Sequence, residues 1–137
     1  MSHRTRGDHL SGPYRDALYT VSLYYRFTNN DPEYLACIGF DIDDDKIIVK
    51  QIQGNQGKGE LLGLFKWERM LLSILTDWAN ESGFKQIRVI QAKNQRWCRN
   101  GDRMKRMYMH YDVTARRSGF NLDQDSGQYI KYIKVLV

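Results

Sequence analysis

The sequence predicts a mixed-sheet α/β domain, a three-stranded antiparallel meander followed by α-β-α-β. Three observations carry this. Apolar and polar residues alternate with period two in "LYTVSLYYRF", and two further strand-like runs follow before Gly54. After Lys66 the apolar period becomes helical. Two later runs rich in β-branched and aromatic residues, "KQIRVIQ" and "QYIKYIKVLV", each follow a helical stretch.

The first strand is read in "LYTVSLYYRF", where Tyr19, Val21, Leu23, Tyr25 and Phe27 share one face. "NNDP" supplies turn chemistry, since Asn and Asp tolerate tight backbone and Pro presets its own φ. "EYLACIGFDI" is a largely apolar and therefore central strand, "DDD" a turn, and "KIIVKQIQ" the third strand. Connections this short make the three antiparallel neighbours.

Trp67, Met70, Leu71, Ile74, Leu75, Trp78 and Ala79 recur at helical spacing, and Gly83 is the expected C-terminal cap. A strand reached through this helix, at 85–91, is expected to lie parallel to the strand at 46–53 by a right-handed crossover. A second helix is predicted from Arg103 to Ser118, with Met104, Met107, Tyr108, Tyr111 and Ala115 inward. "SGF" ends it before the last strand, and the two helices cover one face of the sheet or one face each.

A chain of 137 residues is long enough for one domain with a substantial core. Residues 1–16 read as a flexible N-terminal tail and 17–137 as the single domain. No stretch approaches eighteen consecutive apolar residues, so no membrane span is expected. The two cysteines, Cys37 and Cys98, do not form a disulfide framework, and with three scattered histidines they offer no zinc spacing. A reducing, cytoplasmic setting without a metal is the expectation.

The net charge of +5 is unevenly distributed: eight basic and two acidic residues between Lys93 and Arg117 give +6, leaving −1 elsewhere. Arg96, Arg99, Arg103 and Arg106 are candidate anion-binding residues within this segment. The stretch "QIQGNQGKGELL" places three glycines and a lysine between a strand and a helix, a position where backbone N–H groups are able to cradle phosphate.

This element order, with the motifs "GNQGKG" and "RRSGF", resembles the GNAT superfamily of acyl-CoA N-acyltransferases. The resemblance spans Leu18 to Val137 in element order. It implies acetyl-CoA or another acyl-CoA as cofactor and an amine as acceptor. In that family the loop follows Q/R-x-x-G-x-G/A and its N–H groups bind the coenzyme A pyrophosphate. Here the implied cofactor-binding residues are Gln53, Gly54, Gln56, Gly57, Lys58 and Gly59. Three departures stand out. Gly54 occupies the usual Gln/Arg position, "ELLGLFK" separates Gly59 from the clear helical period, and Ala115 stands where many members carry a tyrosine that protonates the departing thiolate. Tyr111, one turn earlier, is the candidate catalytic acid, with packing in the core as its alternative. Asp41 and Asp43 are candidate bases.

Other readings stay open on the same residues. The segment 93–117 interleaves cations with Trp97, Tyr108 and Tyr111, as a nucleic-acid-binding module would, with Tyr108 and Tyr111 expected on the apolar helix face. A fold of this kind also serves as a non-catalytic interaction domain. The apolar end "KVLV" and the sheet edges would then pair with a second copy. Cys98 with His110 as a nucleophile pair is the remaining reading.

Overall fold

Strand β1 (Ser2–His3), β2 (Tyr19–Tyr25), β3 (Glu33–Asp43) and β4 (Lys46–Gly54) are joined antiparallel, each to the next. β4 then pairs parallel with β5 (Gln86–Ile90), as the crossover rule requires. A closing hairpin of β6 (Asn121–Asp123) and β7 (Gln128–Tyr132) gives a seven-stranded sheet in the order β1-β2-β3-β4-β5-β7-β6. The computed structural model describes residues 2–3, 17–26, 28–29, 31–95 and 101–133, and the side chains of 2–3 and 101–103 fall outside the description. The "KVLV" end and residues 4–16 lie outside the described residues.

The meander and the crossover agree with the sequence reading, and two strands add to it. Ser2–His3, expected within a tail, pairs with Thr20 and Tyr19. The second helix leads not to one final strand but to the β6–β7 hairpin. Three residues of β6 are too few to show a period, so composition alone does not reveal it.

The core lies on one face of the sheet. Ile38, Phe40, Ile47, Val49, Ile87 and Val89 are fully buried there. Helix α2 (Trp67–Glu81) covers them with Trp67, Leu71, Leu72, Leu75 and Ala79, and Trp78 packs on Phe40 at 5.9 Å between ring centroids. Leu72 is buried and Ile74 is 46% exposed, so the buried stripe lies about one residue from the expected one. Gly83 adopts φ +83° and Gly119 φ +86°, left-handed conformations that end α2 and the second helical segment.

That second segment is not one α-helix. Gly101–Tyr108 (α3) is followed by a π-helical turn at Met109–Val113 and by Thr114–Arg117 (α4). The wider turn rotates the later residues relative to the earlier ones. The uninterrupted helix face predicted for this segment is therefore wrong. Met104 and Tyr108 are each 41% exposed, while Tyr111, Asp112, Thr114 and Ala115 are buried. Both helical layers share one face, with Trp67 beside His110 at 5.4 Å.

Asp112 is the polar anchor of this layer. One carboxylate oxygen accepts from Ala92 N–H at 2.9 Å, and the other accepts from Tyr129 Oη at 2.8 Å. These bonds tie the π turn to the end of β5 and to β7. Burial, helped by the bond to Asp112 and its charge, pushes the Tyr129 phenol up to about 12.

Two outcomes follow from this anchor. Asp112→Ala strands two buried donors and is expected to cost about 2–4 kcal/mol in urea unfolding. The Tyr129 phenol is raised in the folded state, so its contribution to stability is complete below pH 10.0 and is lost as pH rises toward about 12. Phenolate absorbance and unfolding free energy measured across that window check the sign; a stability flat to pH 12 contradicts it.

Candidate functional site

β4 has a second partner along only part of its length. Lys46–Val49 face Gln86–Val89 of β5, which ends at Ile90 while β4 runs on to Gly54. Between the pairs Gly39–Gln51 and Phe40–Val49 one residue, Lys50, is left unmatched, a bulge that bends and twists the strand. Lys50 Nζ lies 2.7 Å from Asp41 Oδ2. Beyond the bulge the Ile52 N–H donates to Tyr111 Oη at 2.9 Å. Tyr111 is 1% exposed, so its hydroxyl is reached from within the fold.

The glycine stretch continues from this edge. Asn55 organises it: its side-chain oxygen accepts from Gly57 N–H at 3.2 Å and its carbonyl from Lys58 N–H at 2.9 Å. Asn55 N–H and Nδ2 in turn donate to the carbonyls of Leu35 and Tyr34 on β3. A 3₁₀ turn at Gln56–Lys58 leads into the one-turn helix α1 (Gly59–Leu62). The interval before Trp67 is thus a separate short helix and a turn, so α2 begins away from the glycines.

The glycines have different reasons to be there. A Cβ on Gly54 would stand 3.0 Å from Leu62 Cδ1 and 3.2 Å from Trp67 Cζ2, so α1 and α2 pack close on β4 at this glycine. A Cβ on Gly59 meets nothing within 4 Å, and its φ of −57° is ordinary. At Gly57 the nearest atom would be Asn55 Oδ1 at 3.7 Å. Neither of these two is required by the chain's own packing.

An open groove of about 690 Å³ lies against this loop, with Gly54 and Gly59 on one wall and Lys66, Glu68, Arg106 and His110 on the others. His110 Nδ1 and Glu68 Oε2 are 2.9 Å apart across it. The four ionisable side chains come from two segments of the sequence, Glu68 and His110 being 42 residues apart. Sequence reasoning passed over Glu68 and weighed His110 only as a partner for Cys98. The four-residue spacing of Arg106 and His110 was the one local signal for this wall.

The sequence-derived candidates do not all come together. Gly54, Gln56, Gly59 and Arg106 line the groove, whereas Lys58 forms an ion pair with Glu33 outside it. The Gln53 side chain is exposed and accepts from Gln51 Nε2 at 2.6 Å. Asp41 is held by Lys50 and by Leu18 N–H, and neither it nor the exposed Asp43 lines the groove. Arg96, Arg99 and Cys98 lie outside the described residues, as does the Arg103 side chain. Arg116, within the basic segment, donates to Tyr108 Oη at 2.8 Å. Among the described residues no three His, Cys, Asp or Glu side chains are grouped to hold a metal, and no helix is long and apolar enough to cross a membrane.

No protein-family profile matches the sequence, and no curated protein is significantly similar to it. The fold is similar to that of a GNAT-family acetyltransferase from Staphylococcus aureus Mu50, with a TM-score of 0.50 and 15% sequence identity. The alignment covers 77% of this chain and 64% of that protein, so the likeness is one of fold and spans under two thirds of the other chain. A GNAT-like fold is the result.

Because Gly59 has helical torsions and open space at its Cβ, Gly59→Ala is expected to raise unfolding stability by about 0.5–1 kcal/mol. Chemical denaturation of the two proteins measures this. A loss of stability would mean that the fold itself needs the glycine.

Proposed function

We propose that this chain binds an acyl-coenzyme A along the free edge of β4 and transfers its acyl group to an amine. The observation that carries the proposal is the departure of β5 from β4 after Val89, which leaves the last part of β4 with β3 alone and opens it toward the glycine loop. The likeness in fold to a GNAT-family acetyltransferase supports it.

The residues present fit such a ligand in part. Gly57 and Gly59 keep side chains away from the loop surface, allowing close approach to the backbone. Lys66 and Arg106 bring two cations to the groove, and the cation-lined wall suits a diphosphate. The N–H groups of Gly57 and Lys58 are already taken by Asn55, so the two side-chain cations carry a larger share of phosphate recognition than in a pure backbone cradle. His110 Nδ1 lies 2.9 Å from the Glu68 carboxylate, which gives that acidic group a partner within the fold.

The coenzyme supplies a thioester carbonyl that a neutral amine attacks, yielding an amide and a thiol. For that chemistry the chain offers chiefly position: the β4 edge orients and the loop anchors. Tyr111 Oη, at the β4 edge, is the group we assign to deliver a proton to the departing sulfur. Asp41 is tied to Lys50, and loss of the amine proton falls to solvent in this reading. A second reading, a GNAT-like domain without catalysis, is favoured by one observation: the Tyr111 hydroxyl itself occupies the Ile52 N–H.

Calorimetric titration with coenzyme A tests the proposal, together with acyl-CoA consumption against a panel of amines. The double substitution Gly57→Val, Gly59→Val is expected to weaken coenzyme A binding by about tenfold or more while the far-ultraviolet spectrum stays unchanged. Equal binding by parent and variant removes the loop from the site. Binding without any acyl-CoA consumption favours the non-catalytic reading.

A further inference from the structure

Ile52 sits on β4 beyond the point where β5 leaves it, yet its N–H is buried with the core. A backbone donor in such a place needs an acceptor. Had β5 continued, a carbonyl of that strand would serve. Instead the acceptor is a side-chain oxygen, Tyr111 Oη, from a residue 59 positions away on the π-helical turn. That turn carries two consecutive inward side chains, Tyr111 to β4 and Asp112 to Ala92 and Tyr129. Wide turns of this kind frequently accompany functional sites.

We infer that the Tyr111 hydroxyl holds the place of a ligand amide on β4, and that binding makes it surrender the Ile52 N–H to that amide's carbonyl. The inference rests on the acyl-coenzyme A reading above. The arm of coenzyme A carries amide groups spaced along an extended chain, the chemistry that adds to a free strand edge. In the free protein the edge is closed by one tyrosine. In the bound protein one hydrogen bond replaces another at Ile52, and Oη is released toward the ligand. Tyr111 is thus a positioning residue for the arm in addition to its assigned part in proton delivery.

The exchange predicts opposite effects of one substitution. Tyr111→Phe leaves the Ile52 N–H without its acceptor, so the variant unfolds at lower temperature. The same vacancy is relieved when the ligand carbonyl arrives, so coenzyme A affinity rises by about tenfold. Adenosine 3′,5′-bisphosphate, which lacks the arm, is expected to bind parent and variant alike. If the variant binds coenzyme A no more tightly than the parent, or if the bisphosphate gains equally, the exchange is wrong. If neither protein binds coenzyme A while both remain folded, the acyl-coenzyme A reading falls first and takes this inference with it. A measurement on the parent alone guards against a poorly folded variant: ring resonances of labelled Tyr111 are expected to shift on saturation with coenzyme A but not with the bisphosphate. An unmoved ring at saturation overturns the inference.

Discussion

Strand β4 is flanked by β3 and β5 over its first residues and by β3 alone over its last, and much of the domain's arrangement follows from that change of neighbour. The bulge at Lys50 lies where the two regimes meet. Before it, Ile47 and Val49 form a continuous apolar layer with Ile87 and Val89 beneath α2. After it, the strand edge needs a partner that the sheet does not provide. The π-helical turn answers that need through Tyr111, and the glycine loop begins where the strand stops.

The turn at Met109–Val113 also explains how a helix with a polar sequence joins the core. Helix α2 also buries two consecutive residues, Leu71 and Leu72, but both are aliphatic; in the π turn the consecutive buried pair is a tyrosine and a carboxylate. The carboxylate is accommodated because both of its oxygens are bonded. Met104, Tyr108 and Met109 lie at the surface, where the first half of the segment contributes little to the core.

Charge is divided by this geometry as well. Among the described residues, the basic side chains of the 93–117 segment do not form one uniform surface. Arg106 and His110 turn into the groove toward Glu68, while Arg116 is spent on Tyr108 and lies 5.7 Å from the Tyr129 ring centroid. The groove therefore combines cations with one carboxylate, held by an imidazole. That mixture tempers the attraction for anions that net charge alone would imply.

The sequence by itself determined the meander, the crossover helix and its boundaries, the parallel pairing of β4 with β5 and the glycine caps. Each depends on local patterns: alternation in a strand, a 3.6-residue period in a helix, and left-handed backbone at Gly83 and Gly119. The glycine loop and Arg106 were legible as candidates, and Gly54, Gln56, Gly59 and Arg106 line one groove. Only the tertiary structure decided the role of Tyr111, the pairing of Glu68 with His110 and the burial of Asp112. Those partners are 59, 42 and up to 20 residues apart, and no local period records which donor will lack an acceptor once β5 turns away. The π turn was hidden as well, because it is selected by buried hydrogen bonds across the fold rather than by the propensities of the residues that form it.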